Sequence, residues 1–506
     1  MNKRKNKKTE KKITSEQPAK NPNFPRLFLI IGGFFGLAML LITPPFQVPD
    51  EHDHFFRAMM ISSGQFVAQS YPFTASEREK VPLKYLLGKG GIVPVSIPYT
   101  SRMVNHKLPF HPENKQKFAD IKRILDLPMQ MEGYPDVFVN TSAANYSPLL
   151  YLPTATILNL GRLTGKSPLL LIYLGRFINL LCFLTLVYWA LRITPTGKSL
   201  FFLIALMPMT LFLAPSISID GLLIANALLL TAGLLKLAAN PEDPVSRIEW
   251  LIIPGTAISL ALGKIIYTPL LLLFFLNPHA IFSKERSRLY LCFCTIACVI
   301  LTSLAWAQLK TLELHPDLTQ IAFDFTSFQY NDKLLPLIDA KRQLSNLLHN
   351  PTLFPQVLFT TLHQYGLYFI QTFVGQLGWL DTRLPAWIIW SYPVCLMAGA
   401  ISSKPITSHP SFTRVLFGFT WITIFSGIFL GFYLVGTPVD GNFISGVQGR
   451  YFIPFALTFL LIFNTVYRNP PQDQHPLLKR ITSIWPFIYS SIVLLTTTYT
   501  LWNRYY

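Results

Sequence analysis

Acidic and imidazole side chains crowd one short stretch of this chain, Pro49-Asp50-Glu51-His52-Asp53-His54, just after an apolar run that ends at Thr43. Asp50 lies four residues and Glu51 three residues before His54, so on a helix these groups share a face. A carboxylate pair at the mouth of a membrane span suits general-base work or cation binding. The metal candidates are Asp50, Glu51 and His54, with Mg or Mn as the ion. The plainer role is capping: Pro44 and Pro45 end the preceding helix and acids favour the start of the next. One acid would suffice for a cap, and three are present.

Four further groups place polar residues where apolar runs begin or end. Ser216-Ile217-Ser218-Ile219-Asp220 puts a carboxylate at a helix start, where a cap is the simpler role. Gly263-Lys264-Ile265-Ile266-Tyr267 holds a lysine between two apolar runs; it can snorkel to an interface, or offer a point charge to a phosphate. Gly378-Trp379-Leu380-Asp381 suits an interfacial tryptophan anchor with a cap. In Gly446-Val447-Gln448-Gly449-Arg450-Tyr451, glycines allow close backbone approach and the arginine can hold a phosphate through two hydrogen bonds. Arg176 and Asn179 form a polar pair inside a span, expected to face the bundle interior.

The elements that must position these groups are membrane helices. Half of the 506 residues are hydrophobic and 13% are charged, against roughly a quarter charged in soluble proteins. A helical crossing takes about 20 apolar residues. Eleven candidate spans fall near 27–43, 169–191, 199–215, 219–238, 250–265, 267–282, 289–309, 384–402, 414–435, 451–467 and 481–502. The expected fold is an all-α polytopic membrane protein with a large first outer loop, 44–168, carrying juxtamembrane helices. The expected organisation is a disordered basic tail over 1–26, an N-terminal membrane module over 27–309, an outer loop over 310–383 and C-terminal helices over 384–506. Amphipathic helices are expected near Leu334–Leu348 and Leu353–Ile370.

Much of the net charge of +18 sits in the lysine-rich tail, with no aromatic interleaving, so nucleic acid is not the expected partner. Such a tail keeps an N-terminus in the cytoplasm. The same rule settles Asn145–Leu163, apolar but interrupted by Pro148 and Pro153. If it does not cross, Arg192, Lys198, Arg247, Lys284, Arg286, Arg288, Lys404, Arg414, Arg468, Lys479 and Arg480 all fall inside. The chemistry-bearing groups then all lie at the outer ends of spans. The five cysteines sit in apolar runs and read as buried hydrophobes. Internal repeats of a symmetric carrier are not evident.

The segments TPPFQVPDEHDHFFRA, NYSPLLYLP, LGRFINLL, LMPMTLFLAPSISIDG, LGKIIYTPLLLL, GWLDTRLP and GVQGRYFIP, in this order, resemble the bacterial multi-pass family called domain of unknown function 2142. That family reads Pro-Asp-Glu, two variable residues, then His, so the resemblance assigns no role to His52 and Asp53. The family is in turn similar in architecture to the GT-C glycosyltransferases, enzymes of the outer leaflet that use polyprenyl-phosphate sugars. The resemblance implies an inner-membrane glycosyltransferase with a lipid-linked sugar donor and a glycan or glycolipid acceptor in envelope glycan synthesis. Asp50 would be the base, with Glu51 and Asp220 positioning the acceptor or an ion. Lys264 and Arg450 would hold the donor phosphate. His54, Tyr267, Arg176, Gln448, Tyr451 and Asp381 would support them. Rival readings are a flippase of lipid-linked glycans, which needs charges deep within the spans, and a non-catalytic partner in glycan assembly, which tolerates loss of Asp50.

Overall fold

The structure, a computed structural model, describes residues 23–71, 88–105, 107–278, 286–312, 314, 322–323, 338–403, 410–465 and 476–506. Most of the basic tail, part of the expected helix near 334–348, and Lys284, Lys404 and Arg468 lie outside these residues.

Local chemistry sets the helix boundaries. Asn23 accepts a hydrogen bond from the Arg26 amide and, with Pro25 in the first turn, starts α1 (Phe24–Ile42). Thr43, Pro44 and Pro45 end it, and the chain turns into α2 (Glu51–Ser62). Two short helices follow, α3 (Ser96–Asn105) and α4 (Phe118–Leu125). Pro148 opens a short 3-10 turn that leads into α5 (Leu152–Leu163). Ser167 caps α6 (Pro168–Ile193). Pro208 then divides the expected third span into α7 (Lys198–Ala205) and α8 (Pro208–Leu213), because proline removes a donor and clashes with the preceding turn.

The chain continues as α9 (Asp220–Ala239) and α10 (Arg247–Gly263), the latter opened by a Ser246/Glu249 capping box. Ile265–Leu276 is wound as a 3-10 helix, and α11 (Ser287–Leu309) follows. After the second long loop come α12 (Ala340–His349), α13 (Leu353–Val374), α14 (Ala386–Ile401) and α15 (Pro410–Gly436). A 3-10 turn, Gly449–Phe455, passes into α16 (Ala456–Leu461), and α17 (Pro476–Tyr505) ends the chain.

Among the described residues, six helices are long and apolar enough to cross a membrane: α1, α6, α9, α11, α15 and α17. The remaining expected spans are shorter or broken by proline and 3-10 turns. At about 1.5 Å per residue the twelve residues of α5 cover about 18 Å, short of a hydrocarbon core of about 30 Å. The centre of the bundle is the stretch 200–235, every residue of which is buried. The outer helices α1, α11 and α15 instead present bare Phe34, Leu301 and Val415, as lipid-facing helices do.

The two long loops are not purely helical. Strands β1 (Gln69–Ser70), β2 (Lys89–Val93), β3 (Val137–Asn140) and β4 (Ala322–Phe323) form one small sheet in that order, with β3–β4 parallel. The sheet joins the first long loop to the second. Its strands of two to five residues carry too little alternation to be read from sequence. A second ribbon, β5 (Gln376–Leu377) with β6 (Thr382–Arg383), closes the Trp379 turn.

Candidate functional site

Four element ends meet at one end of the bundle, and they carry the charges. The start of α2 supplies Asp50 and Glu51, the start of α9 supplies Asp220, the end of α10 supplies Lys264, and the turn before α16 supplies Arg450. Two glycines permit the meeting. A Cβ on Gly449 would lie 1.9 Å from the Phe369 carbonyl oxygen, so the backbone beside Arg450 packs directly on α13. A Cβ on Gly221 would lie 2.9 Å from Ala214 Cα, so α9 begins pressed against the end of α8, and this fixes Asp220.

Asp220 lies between the two cations. Its Oδ1 is 2.7 Å from Lys264 Nζ and its Oδ2 is 3.5 Å from Arg450 Nη1. Arg450 Nη2 donates to Asp50 Oδ2 at 2.9 Å. The result is a chain of alternating charge, Lys264–Asp220–Arg450–Asp50. Tyr451 lies against both cations, with its ring centre 4.9 Å from Lys264 Nζ and 5.3 Å from the Arg450 guanidinium carbon. Tyr267 donates to the Tyr451 carbonyl at 3.0 Å and ties the Ile265–Leu276 segment to this turn. Among the described residues, Arg450 Nε has no hydrogen-bond partner although the side chain is only 2% exposed, and the shielded Gln448 Oε1 is also unpartnered. Buried donors of a guanidinium are seldom left unmade.

The two neighbouring acids at the start of α2 have different surroundings. Glu51 is wholly buried, and its carboxylate accepts from Arg176 Nε at 2.8 Å, Arg176 Nη2 at 2.5 Å, the Phe46 amide at 2.9 Å and the Ile217 amide at 3.2 Å. Arg176 in turn donates to the carbonyls of Leu40, Thr43 and Pro44. The pair therefore ties the end of α1 and the start of α2 to α6, and it leaves Glu51 no oxygen for a reactant. Asp50 makes no capping hydrogen bond, its side chain is 47% exposed, and its φ of 63° is left-handed. Capping thus does not account for Asp50, and strained non-glycine backbone gathers at functional sites.

His54 is buried on the next turn of α2. Its Nδ1 is hydrogen-bonded to the Tyr151 hydroxyl, and its ring stacks on Tyr146 at 5.8 Å. Burial pushes the imidazole below its usual titration range, against the opposing pull of Asp220 and Asp50. Sequence reasoning assigned no role to Tyr146 or Tyr151, which only the return of the first loop brings beside α2. Asp381 stands apart from the charge chain: it holds Arg504 of the last helix at 3.1 Å and the Phe110 amide at 3.1 Å.

The donor set does not suit a metal ion. Among the described residues no three His, Cys, Asp or Glu side chains are grouped to hold one. Glu51 is filled by Arg176, and Asp50 and Asp220 already face cations. A cavity of about 550 Å³ lies elsewhere, lined by Ser63, Gln69, Ile92 and Arg162. A second, about 280 Å³, adjoins the charged site: Tyr146 and Gly263 line it together with Ala261, Leu262, Ile265, Trp306 and Lys310.

No curated protein and no solved structure matches the chain. The family described as "Predicted membrane protein (DUF2142)" matches it over residues 33–459, which spans every charged group of the site, and the chain belongs to that family.

Proposed function

We propose that this chain is a glycosyltransferase of the cytoplasmic membrane that takes a sugar from a polyprenyl-phosphate donor at the outer face. In this reading eleven segments cross in a GT-C-like arrangement, α5 does not cross, and the N-terminus is cytoplasmic. The observation that carries the reading is the convergence of Lys264 and Arg450 with Asp50 and Asp220 at one bundle end, with Arg450 Nε left open.

Asp50 occupies the Nη2 half of one guanidinium edge and leaves the Nε half vacant. A donor phosphate takes both halves, which releases the Asp50 carboxylate toward the acceptor. The acceptor hydroxyl oxygen then attacks the anomeric carbon, and its proton passes to Asp50. The bond between the anomeric carbon and the phosphate oxygen breaks, and its electron pair leaves on the polyprenyl phosphate. Arg450 and Lys264 hold that charge. Asp220 sets the spacing of the two cations. The groove beside Gly263, with Leu262, Ile265 and Trp306, suits the first units of the prenyl chain. No step requires a metal.

One observation favours a second reading. The two acids balance the two cations without any ligand, which also suits a non-catalytic partner in envelope glycan assembly. Asp50→Asn separates the two. The enzyme reading expects a variant that accumulates normally and makes no envelope glycan. Normal accumulation with unchanged glycan sinks that reading and leaves the second.

A further inference from the structure

At the turn that carries Asp50, three aromatic rings gather from three distant parts of the chain. The Trp379 ring lies 5.6 Å from His52 and 5.5 Å from Phe110, centre to centre. Trp379 Nε1 donates to the Phe46 carbonyl at 2.9 Å, which fixes the indole over the loop that leads to Asp50. The Phe110 amide is held by Asp381, yet its ring is 57% exposed. Among the described residues, six non-glycine residues have left-handed backbone, and four of them, Phe46, Asp50, Phe110 and Leu380, belong to this spot. Strain gathered around a half-exposed aromatic cluster points to a ligand rather than to packing. His52 Nδ1 is shielded from water and, among the described residues, has no hydrogen-bond partner.

We propose that Phe110, Trp379 and His52 form a platform for the ring face of a neutral pyranose, the acceptor sugar, beside Asp50. The inference rests on the glycosyl-transfer reading for the word acceptor, though not for the sugar itself. The electron-rich face of an aromatic ring attracts the C–H face of a pyranose as it attracts the positive edge of another ring. A cationic ligand fits less well, because the nearby acids are taken. Asp381 is bound to Arg504, Asp50 to Arg450, and Asp53 to Thr141 and Ser142.

The test uses the full chain in lipid nanodiscs and saturation-transfer NMR. The probes are methyl β-glucoside, methyl β-galactoside and methyl N-acetyl-β-glucosaminide, with tetramethylammonium as the cationic comparator. At least one glycoside is expected to bind saturably. Phe110→Ala should weaken it about tenfold, the loss of a stacking contact, while Phe110→Tyr retains it. Because Phe110 is exposed, the thermal midpoint should not move. Overturning results are no saturable glycoside, binding unchanged in Phe110→Ala, or Phe110-dependent binding of tetramethylammonium alone. Undecaprenyl phosphate binding, measured in the same samples, keeps the readings apart. Phosphate binding without glycoside binding removes only the platform, whereas glycoside binding without phosphate binding removes the transfer reading and leaves a sugar site.

Discussion

Asp50 and Glu51 are adjacent in sequence, and the account assigns them opposite roles. Glu51→Gln and Asp50→Asn should therefore fail in different ways. Glu51 and Arg176 are both fully buried, and the Glu51 carboxylate accepts four hydrogen bonds. A carboxamide keeps one acceptor oxygen and turns an NH2 toward donors, leaving the Arg176 charge uncompensated. Breaking a buried pair from one side costs about 3–5 kcal/mol, a large share of a typical stability of about 5–15 kcal/mol. Asp50 is 47% exposed and makes one ion pair and no cap, and its partner Arg450 keeps Asp220, so Asp50→Asn should cost much less than Glu51→Gln. Accumulation in membranes and the thermal midpoint in detergent read the difference. Glu51→Gln should accumulate poorly and melt early, and adding Arg176→Met should restore part of the loss. Asp50→Asn should match the parent in both. A stable Glu51→Gln, or an unstable Asp50→Asn, refutes the division.

The remaining expectations are narrower. Burial keeps His54 below its ordinary titration range, so the folded state binds its proton less readily than the unfolded state. The stability this contributes is complete above the unfolded value of about 6.5 and falls as pH drops below it. Thermal midpoints taken from pH 8 to pH 5 should decline, and His54→Gln should flatten that decline. Gly449→Ala forces a Cβ into the Phe369 carbonyl and should cost about 1–3 kcal/mol while displacing Arg450; midpoint and undecaprenyl phosphate binding should both drop. For topology, a reporter after Arg192 should read cytoplasmic and one near Asp220 outside, and the reverse pair of signals means that α5 crosses.

Sequence alone marked the six long apolar helices, because runs of apolar residues bounded by proline, glycine and basic clusters are local signals, but not that the other expected spans are shorter or broken. It also marked Asp50, Asp220, Lys264 and Arg450, because a charge at the end of a long apolar run is conspicuous. It could not separate Asp50 from Glu51. That depends on Arg176, 125 residues away in α6, reaching past the end of α1. Nor did it show that Asp220 would lie between Lys264 and Arg450, so that an acid supplies the compensation two neighbouring cations need. The small sheet was hidden because its strands come from both long loops and are too short to show a period. Trp379 looked like an interfacial anchor, and only the fold brings it against Phe46, His52 and Phe110.

The proposed function turns on Arg450 and Lys264 holding a lipid phosphate. The direct measurement is equilibrium binding of undecaprenyl phosphate to the chain in nanodiscs, for the parent, Arg450→Lys and Lys264→Gln. The account predicts saturable binding that weakens about tenfold or more in each variant, since an ammonium cannot reproduce the guanidinium fork and an amide carries no charge. Non-saturable partitioning, or equal affinity in all three proteins, contradicts it.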